Sequence, residues 1–349
     1  LTTDVDVLVV GAGPVGLAAA AMAAQRGLTV AVVERRPDPV DKACGEGLMP
    51  SAVAALASLG VDPPGIDFNG IRYVDADGRR SAVAYFRGGR SGQRPGRGVR
   101  RTSLVRALGV RVDELGVKRV QADVVDLVRR PGAVVAAGIT ARWLLGADGL
   151  HSTVRQVIGG QGAGRVAARY GLRRHFAVQP WTDLVEVHWA EGAEAYVTPV
   201  APDLVGVAVL TDVRGMDHDA WMQRFPALAE RVGGAQSASR VLGAGPLEQN
   251  VTRRWSGRVM LVGDAAGYVD ALTGEGVSLG MATAEAAVRC LVEGRPDRYE
   301  QRWQAATRRY RTLTRMVLFA AQHEPLRGAV VPAAAALPPV FRAAVRALA

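Results

Sequence analysis

Val5-Asp-Val-Leu-Val-Val10-Gly-Ala-Gly-Pro-Val-Gly16 decides the fold. Val5–Val10 is almost wholly apolar at strand length, the pattern of a parallel strand covered on both faces. Residues 14–26 are alanine-rich and helical, with Gly27 placed as the C-cap, and residues 29–34 read as a second strand. Strand, helix and strand in about thirty residues make a βαβ unit. Gly11 permits the tight turn, Gly13 lets the backbone approach a pyrophosphate, and Gly16 lets the helix lie against the strand. Pro14 and Val15 open the helix, whose free N–H groups and positive dipole end suit phosphates. Glu34 ends the second strand where an acid bonds ribose hydroxyls, and Arg35 beside it joins the cofactor-binding set.

Working outward, residues 51–59 form a short helix. Residues 71–86 alternate around Asp75-Ala-Asp-Gly78, a hairpin signal. Gly88–Gly98 reads as a mobile loop, residues 101–115 as a helix, and residues 117–128, 133–137 and 142–145 as strands. From about Gly164 to Gly245 strands alternate, with one helix over His218–Val232. The α/β style returns at Val259, a long helix runs from about Gly276 to Glu293, and residues 298–349 are helical by composition. The fold class is α/β: a Rossmann-type domain of residues 1–70, 99–163 and 246–295, an inserted β-sheet substrate domain of residues 71–98 and 164–245, and C-terminal helices over 296–349.

The net charge of +10 and pI near 10.3 do not by themselves signal nucleic acid, because the arginines are scattered and only Lys42 and Lys118 are lysines. The charge favours anionic cofactors and substrates. Cys44 and Cys290 give no disulfide framework and suit a reducing cytoplasm. His151, His175, His188, His218 and His323 lack metal-ligand spacing, so no metal is expected. No uninterrupted apolar run reaches membrane-spanning length. The basic, apolar tail from Arg308 onward allows a peripheral membrane contact.

Two later segments carry a family resemblance. Gly146-Ala-Asp-Gly-Leu-His-Ser-Thr-Val-Arg155 resembles the GADGxxSxVR segment of flavoprotein hydroxylases of the para-hydroxybenzoate hydroxylase type. Gly257-Arg-Val-Met-Leu-Val-Gly-Asp-Ala-Ala-Gly267 resembles their second flavin motif. The resemblance implies FAD, with Asp148, Gly149, Gly263 and Asp264 at the cofactor. Both aspartates also follow apolar strands beside glycine, where open α/β sheets bind ligands. Arg101-Thr-Ser-Leu-Val-Arg-Ala-Leu108 resembles the helix that sets an arginine near the flavin. Lys42-Ala-Cys-Gly-Glu-Gly47 and Leu272-Thr-Gly-Glu-Gly276 are similar to segments of geranylgeranyl reductases that line the isoalloxazine ring. This similarity implies Cys44, Gly45, Gly274, Gly276 and Val277 at the ring, and Cys44 and Glu46 as catalytic candidates.

Glu194-Ala-Tyr-Val-Thr-Pro199 retains only Tyr196 and the proline of the reductases' aromatic segment, and Ala271 stands where these families carry proline. Those departures argue against a polyprenyl substrate, and the absence of WxWxIP argues against halogenation. Tyr196, His188 and Glu186 are the substrate-pocket candidates, although a solvated sheet face also explains the last two. With one dinucleotide fingerprint, claimed by FAD, NAD(P)H is expected as a transient reductant. The resemblance implies an NAD(P)H-dependent monooxygenase acting on an aromatic or polyketide-like small molecule through a flavin C4a-hydroperoxide. The alternatives are a reductase of C=C bonds in a prenyl or lipid-like substrate, and a flavin carrier or sensor without turnover.

Overall fold

The computed structural model describes residues 3–86, 95–124, 126–162, 168–323 and 326–348. Val5–Val10 lies inside the first sheet, parallel to Val30–Glu34 on one side and Ile139–Gly146 on the other. Lys118–Gln121 continues the sheet beyond Val30–Glu34, and Val259–Leu261 continues it beyond Ile139–Gly146, both in parallel. Val7, Leu8 and Val9 are fully buried, as an apolar strand covered on both faces must be. Helix Pro14–Ala24 begins on proline, whose missing N–H costs nothing in a first turn. It packs against helices Arg101–Glu114 and Gly276–Val292.

The second sheet is built from Tyr170–Ala177, Leu204–Thr211, Ala193–Ala201 and Val185–Ala190, paired antiparallel in that order. Gly70–Asp75 then joins Val185–Ala190 in parallel, and its hairpin partner Ser81–Tyr85 follows. One face of this sheet carries Ile71, Val185, Val187, Tyr196 and Leu210 against the tail helices Tyr299–Gln322, Leu326–Ala336 and Pro338–Leu348. The other face packs Val197, Val205, Val207 and Val209 on Trp221, Phe225 and Leu228.

Several local expectations change. Residues 218–232 form two helices, His218–Met222 and Pro226–Val232, because Pro226 restarts the helix. The strand expected over 117–128 is two, Lys118–Gln121 and Leu127–Arg130. Of the expected loop at 88–98, residues 88–94 lie outside the described residues. Gly96–Gly98 is a strand between Gly47–Leu48 and Ile66–Phe68. A Cβ on Gly98 would stand 1.7 Å from the Pro199 carbonyl oxygen, so the glycine permits the sheets to touch. Among the described residues no single helix is long and apolar enough to cross a membrane.

Candidate active site

Two cavities meet between the sheets. The larger, about 540 Å³, follows the C-terminal ends of the parallel strands. Its wall contains Gly11, Gly13, Pro14, Val15, Glu34, Arg35, Arg101, Asp148, Gly149, Gly263 and Asp264. Gly16 is not on that wall. A Cβ there would stand 1.9 Å from the Gly11 carbonyl oxygen, so this glycine serves helix–strand packing. Glu34 accepts from the Ala12 N–H at 3.0 Å through Oε2 and from the Arg36 N–H at 3.1 Å through Oε1, which fastens the strand end to the glycine turn.

The electrostatics of this cleft suit an extended anionic ligand with hydroxyl groups. Helix Pro14–Ala24 presents its N-terminus with no side-chain cap. Asp148 Oδ2 accepts from the Val154 N–H at 3.1 Å, while Oδ1 and the Arg101 Nε are buried without hydrogen-bond partners among the described residues. Desolvation raises the Asp264 carboxyl above its ordinary pKa, and Arg101, Lys42 and Arg155 oppose the rise. The Lys42 ammonium is pushed down, first by burial and then by Arg101. A dinucleotide fits these donors, cations and the orphaned acceptor.

The smaller cavity, about 210 Å³, shares Pro14, Val15, Arg101 and Asp264 with the first. Cys44, Gly45, Glu46, Gly274, Gly276 and Val277 lie on its wall. Met49, Phe68, Ile71, Val185, Val187 and Leu210 line it as well, together with Val345 from the last helix. Two groups of the second sheet tie down the glycine-rich loops. The Tyr196 hydroxyl donates to the Leu272 carbonyl at 2.5 Å, and the Thr198 hydroxyl donates to the Gly45 carbonyl at 2.7 Å. Tyr268 also lines this cavity, and burial keeps its phenol protonated well above the ordinary value.

Glu186 and His188 are not on the wall of either cavity. Strand alternation turns them to the opposite face from Val185 and Val187. That face is not solvated, because both residues are almost fully buried. Glu186 accepts from the Trp181 indole at 3.0 Å and from Arg72 at 3.3 Å, and it lies 3.3 Å from His188 Nε2.

Glu46 is buried at φ 59°, a conformation costly for a side chain with a Cβ. Its carboxylate is held at both oxygens. Oε1 accepts from the Arg101 N–H at 2.9 Å, and Oε2 lies 2.6 Å from His175 Nε2. Arg173 stands 3.0 Å from His175 Nδ1 and donates to Asp41 at 2.6 Å. Because Arg173 can only donate, Nδ1 accepts and Nε2 carries the hydrogen toward Glu46. Cys44 Sγ accepts from the Glu46 N–H at 3.4 Å. The sequence reading passed over Arg173 and His175 as partners of Glu46. Their only sequence signal is that Arg173 and His175 stand two apart, on one face of strand Tyr170–Ala177, with Arg174 between them on the other.

The chain matches the family model described as the FAD binding domain over residues 4–64 and 109–296. It belongs to that family. A menaquinone reductase of Mycolicibacterium smegmatis is 31% identical over 336 residues, covering 87% of this chain and 80% of that protein. A digeranylgeranylglycerophospholipid reductase of Methanothrix thermoacetophila is 28% identical over 329 residues, covering 85% of this chain and 82% of that protein. A solved flavoprotein/dehydrogenase from Cytophaga hutchinsonii shares the fold with a TM-score of 0.83 at 17% identity, covering 98% of this chain and 92% of that one. This FAD-binding protein is an oxidoreductase of the superfamily that its motifs resemble, and its α/β fold with a helical tail is that of its relatives.

Proposed function

We propose that this flavoprotein reduces a carbon–carbon double bond in a prenyl or lipid-like substrate, with NAD(P)H as the transient electron source. The chemistry of the smaller cavity carries this reading. Most of its lining is apolar, including Met49, Phe68, Ile71, Val185, Val187, Leu210 and Val345, with the phenols of Tyr73, Tyr196 and Tyr268 among them. Tyr196, Thr198 and Glu46 direct polar atoms to protein partners. A phenol needs placed polar groups that fix its orientation, whereas a hydrocarbon chain needs only an apolar wall of the right shape. The similarity to two reductases supports the same choice. It outweighs the missing aromatics around Tyr196 that argued against a polyprenyl substrate.

When bound, FAD supplies the two-electron redox chemistry. Gly13, Pro14 and Val15 would receive its pyrophosphate, Glu34 and Arg35 its ribose end, and Asp148, Gly149, Gly263 and Asp264 its linker. Cys44, Gly45, Gly274, Gly276 and Val277 would border its ring, with Arg101 offsetting anionic charge. The apolar wall excludes water from the reacting bond, and the hydroxyls of Tyr196 and Thr198 hold the two loops at a fixed distance.

Anaerobic incubation of the FAD-loaded protein with NADPH and a prenylated quinone or geranylgeranyl lipid tests the proposal by mass spectrometry. The expected product gains two hydrogens per saturated bond without oxygen. A product that gains an oxygen atom, and only in air, would instead establish the hydroxylase reading. A carrier without turnover would give neither.

A further inference from the structure

We infer that the outer face of the C-terminal helices docks on an anionic phospholipid surface. Residues 301–349 hold eight arginines and a single acid, Glu324, so this stretch supplies +7 of the net charge of +10. Arg302 pairs with Glu293, and Arg311 stacks on Trp303. Arg308, Arg315, Arg342 and Arg346 are exposed and enter no salt bridge among the described residues.

Helix Tyr299–Gln322 sorts its residues sharply. Trp303, Thr307, Tyr310, Thr314, Leu318 and Ala321 recur at three- and four-residue spacing and are buried. The opposite stripe is Arg308, Thr312, Arg315, Met316 and Phe319, basic first and apolar toward the helix end. Met316 is 64% exposed and Phe319 56%. Leu326, Leu337 and Val340 follow, so five of the eleven exposed large apolar side chains among the described residues fall between positions 316 and 340. Water alone does not favour such a stripe. Cationic heads for lipid phosphates combined with apolar side chains for the acyl boundary are what interfacial binding requires.

Helix Pro338–Leu348 connects this surface to the cavity. Its Val340 and Arg342 point outward, while Phe341 and Val345 are buried and Val345 reaches the cavity wall. A lipid-like substrate leaving the bilayer would meet this helix first. That use rests on the reductase reading, but the docking itself does not.

The test is sedimentation of the FAD-loaded full chain with substrate-free vesicles. Phosphatidylcholine vesicles containing phosphatidylglycerol are compared with pure phosphatidylcholine at low and high salt. The chain is expected to sediment with the anionic vesicles, less so as salt rises. The double variant Met316→Ser/Phe319→Ser should lower partitioning about tenfold, and Arg308→Gln/Arg315→Gln should flatten the salt dependence. Unchanged flavin absorbance and melting temperature show that both variants fold. No sedimentation with anionic vesicles, or equal sedimentation of parent and both variants, overturns the inference. A chain that docks but reduces nothing refutes only the reductase reading, and one that reduces its substrate but ignores vesicles refutes only the docking.

Discussion

The two cavities are neighbours, yet the chain builds them differently. The larger is walled by loops that follow parallel strands, and its working parts are backbone N–H groups, glycines and a few acids. The smaller is walled by apolar side chains from the second sheet, the segment around Met49 and the last helix. Directional, charged chemistry demands particular residue types at particular spacings. An apolar wall demands only volume and shape, which many sequences supply. Their shared border, at Pro14, Val15, Arg101 and Asp264, is where a redox group and a substrate would meet.

If that contrast holds, damage to one cavity should spare the other. The largest effect is expected from Gly16→Ala, whose new Cβ collides with the Gly11 carbonyl. The purified variant should carry no visible flavin absorbance. Ala208→Trp, on the smaller cavity's wall, should retain FAD while turnover of the lipid-like substrate falls about a hundredfold or more. Loss of both properties in that variant would erase the distinction.

Arg173→Met sharpens the comparison from beneath, because it strips a buried cation from Asp41 and His175 behind the Glu46 loop. Breaking such a network should cost about 3–5 kcal/mol in chemical denaturation. Tyr196→Phe removes one hydroxyl bond to Leu272 and should cost about 1 kcal/mol. It should disturb turnover more than FAD content, as a flavin titration beside substrate kinetics would show.

A pH slope is expected from Glu275, whose carboxyl burial pushes up to about 8. The unfolded group ionises near 4.5, so its contribution to stability is fully present below that pH. It is lost as pH climbs to about 8 and changes no further above it. Glu275→Gln should therefore gain melting temperature on the parent as pH rises through that window. Parallel melting curves would remove Glu275 as the cause.

Much of the larger cavity was legible because its parts are local. Gly11, Gly13 and Glu34 sit in one βαβ unit, and Asp148 and Asp264 each end their own apolar strand. The Glu46 network was not legible. Glu46 gave no hint that it meets His175, 129 residues away, because the contact forms only when the second sheet lies against the loop. Strand alternation sets Glu186 and His188 on the opposite face from Val185 and Val187. It could not say which side faced the cavity, or that the opposite side would be covered by Trp181 and the helices after His218.

The sequence by itself determined the parallel sheet and the dinucleotide cleft, since glycine spacing and strand-end acids act through the backbone nearest them, and its resemblance to flavoproteins pointed to FAD. Tertiary structure alone decided the shape of the smaller cavity, the partners of Glu46 and the placement of Val345 on that cavity's wall. Those features arise from side chains that become neighbours only after packing, and hydrophobic burial fixes which elements meet without writing the meeting into any one segment.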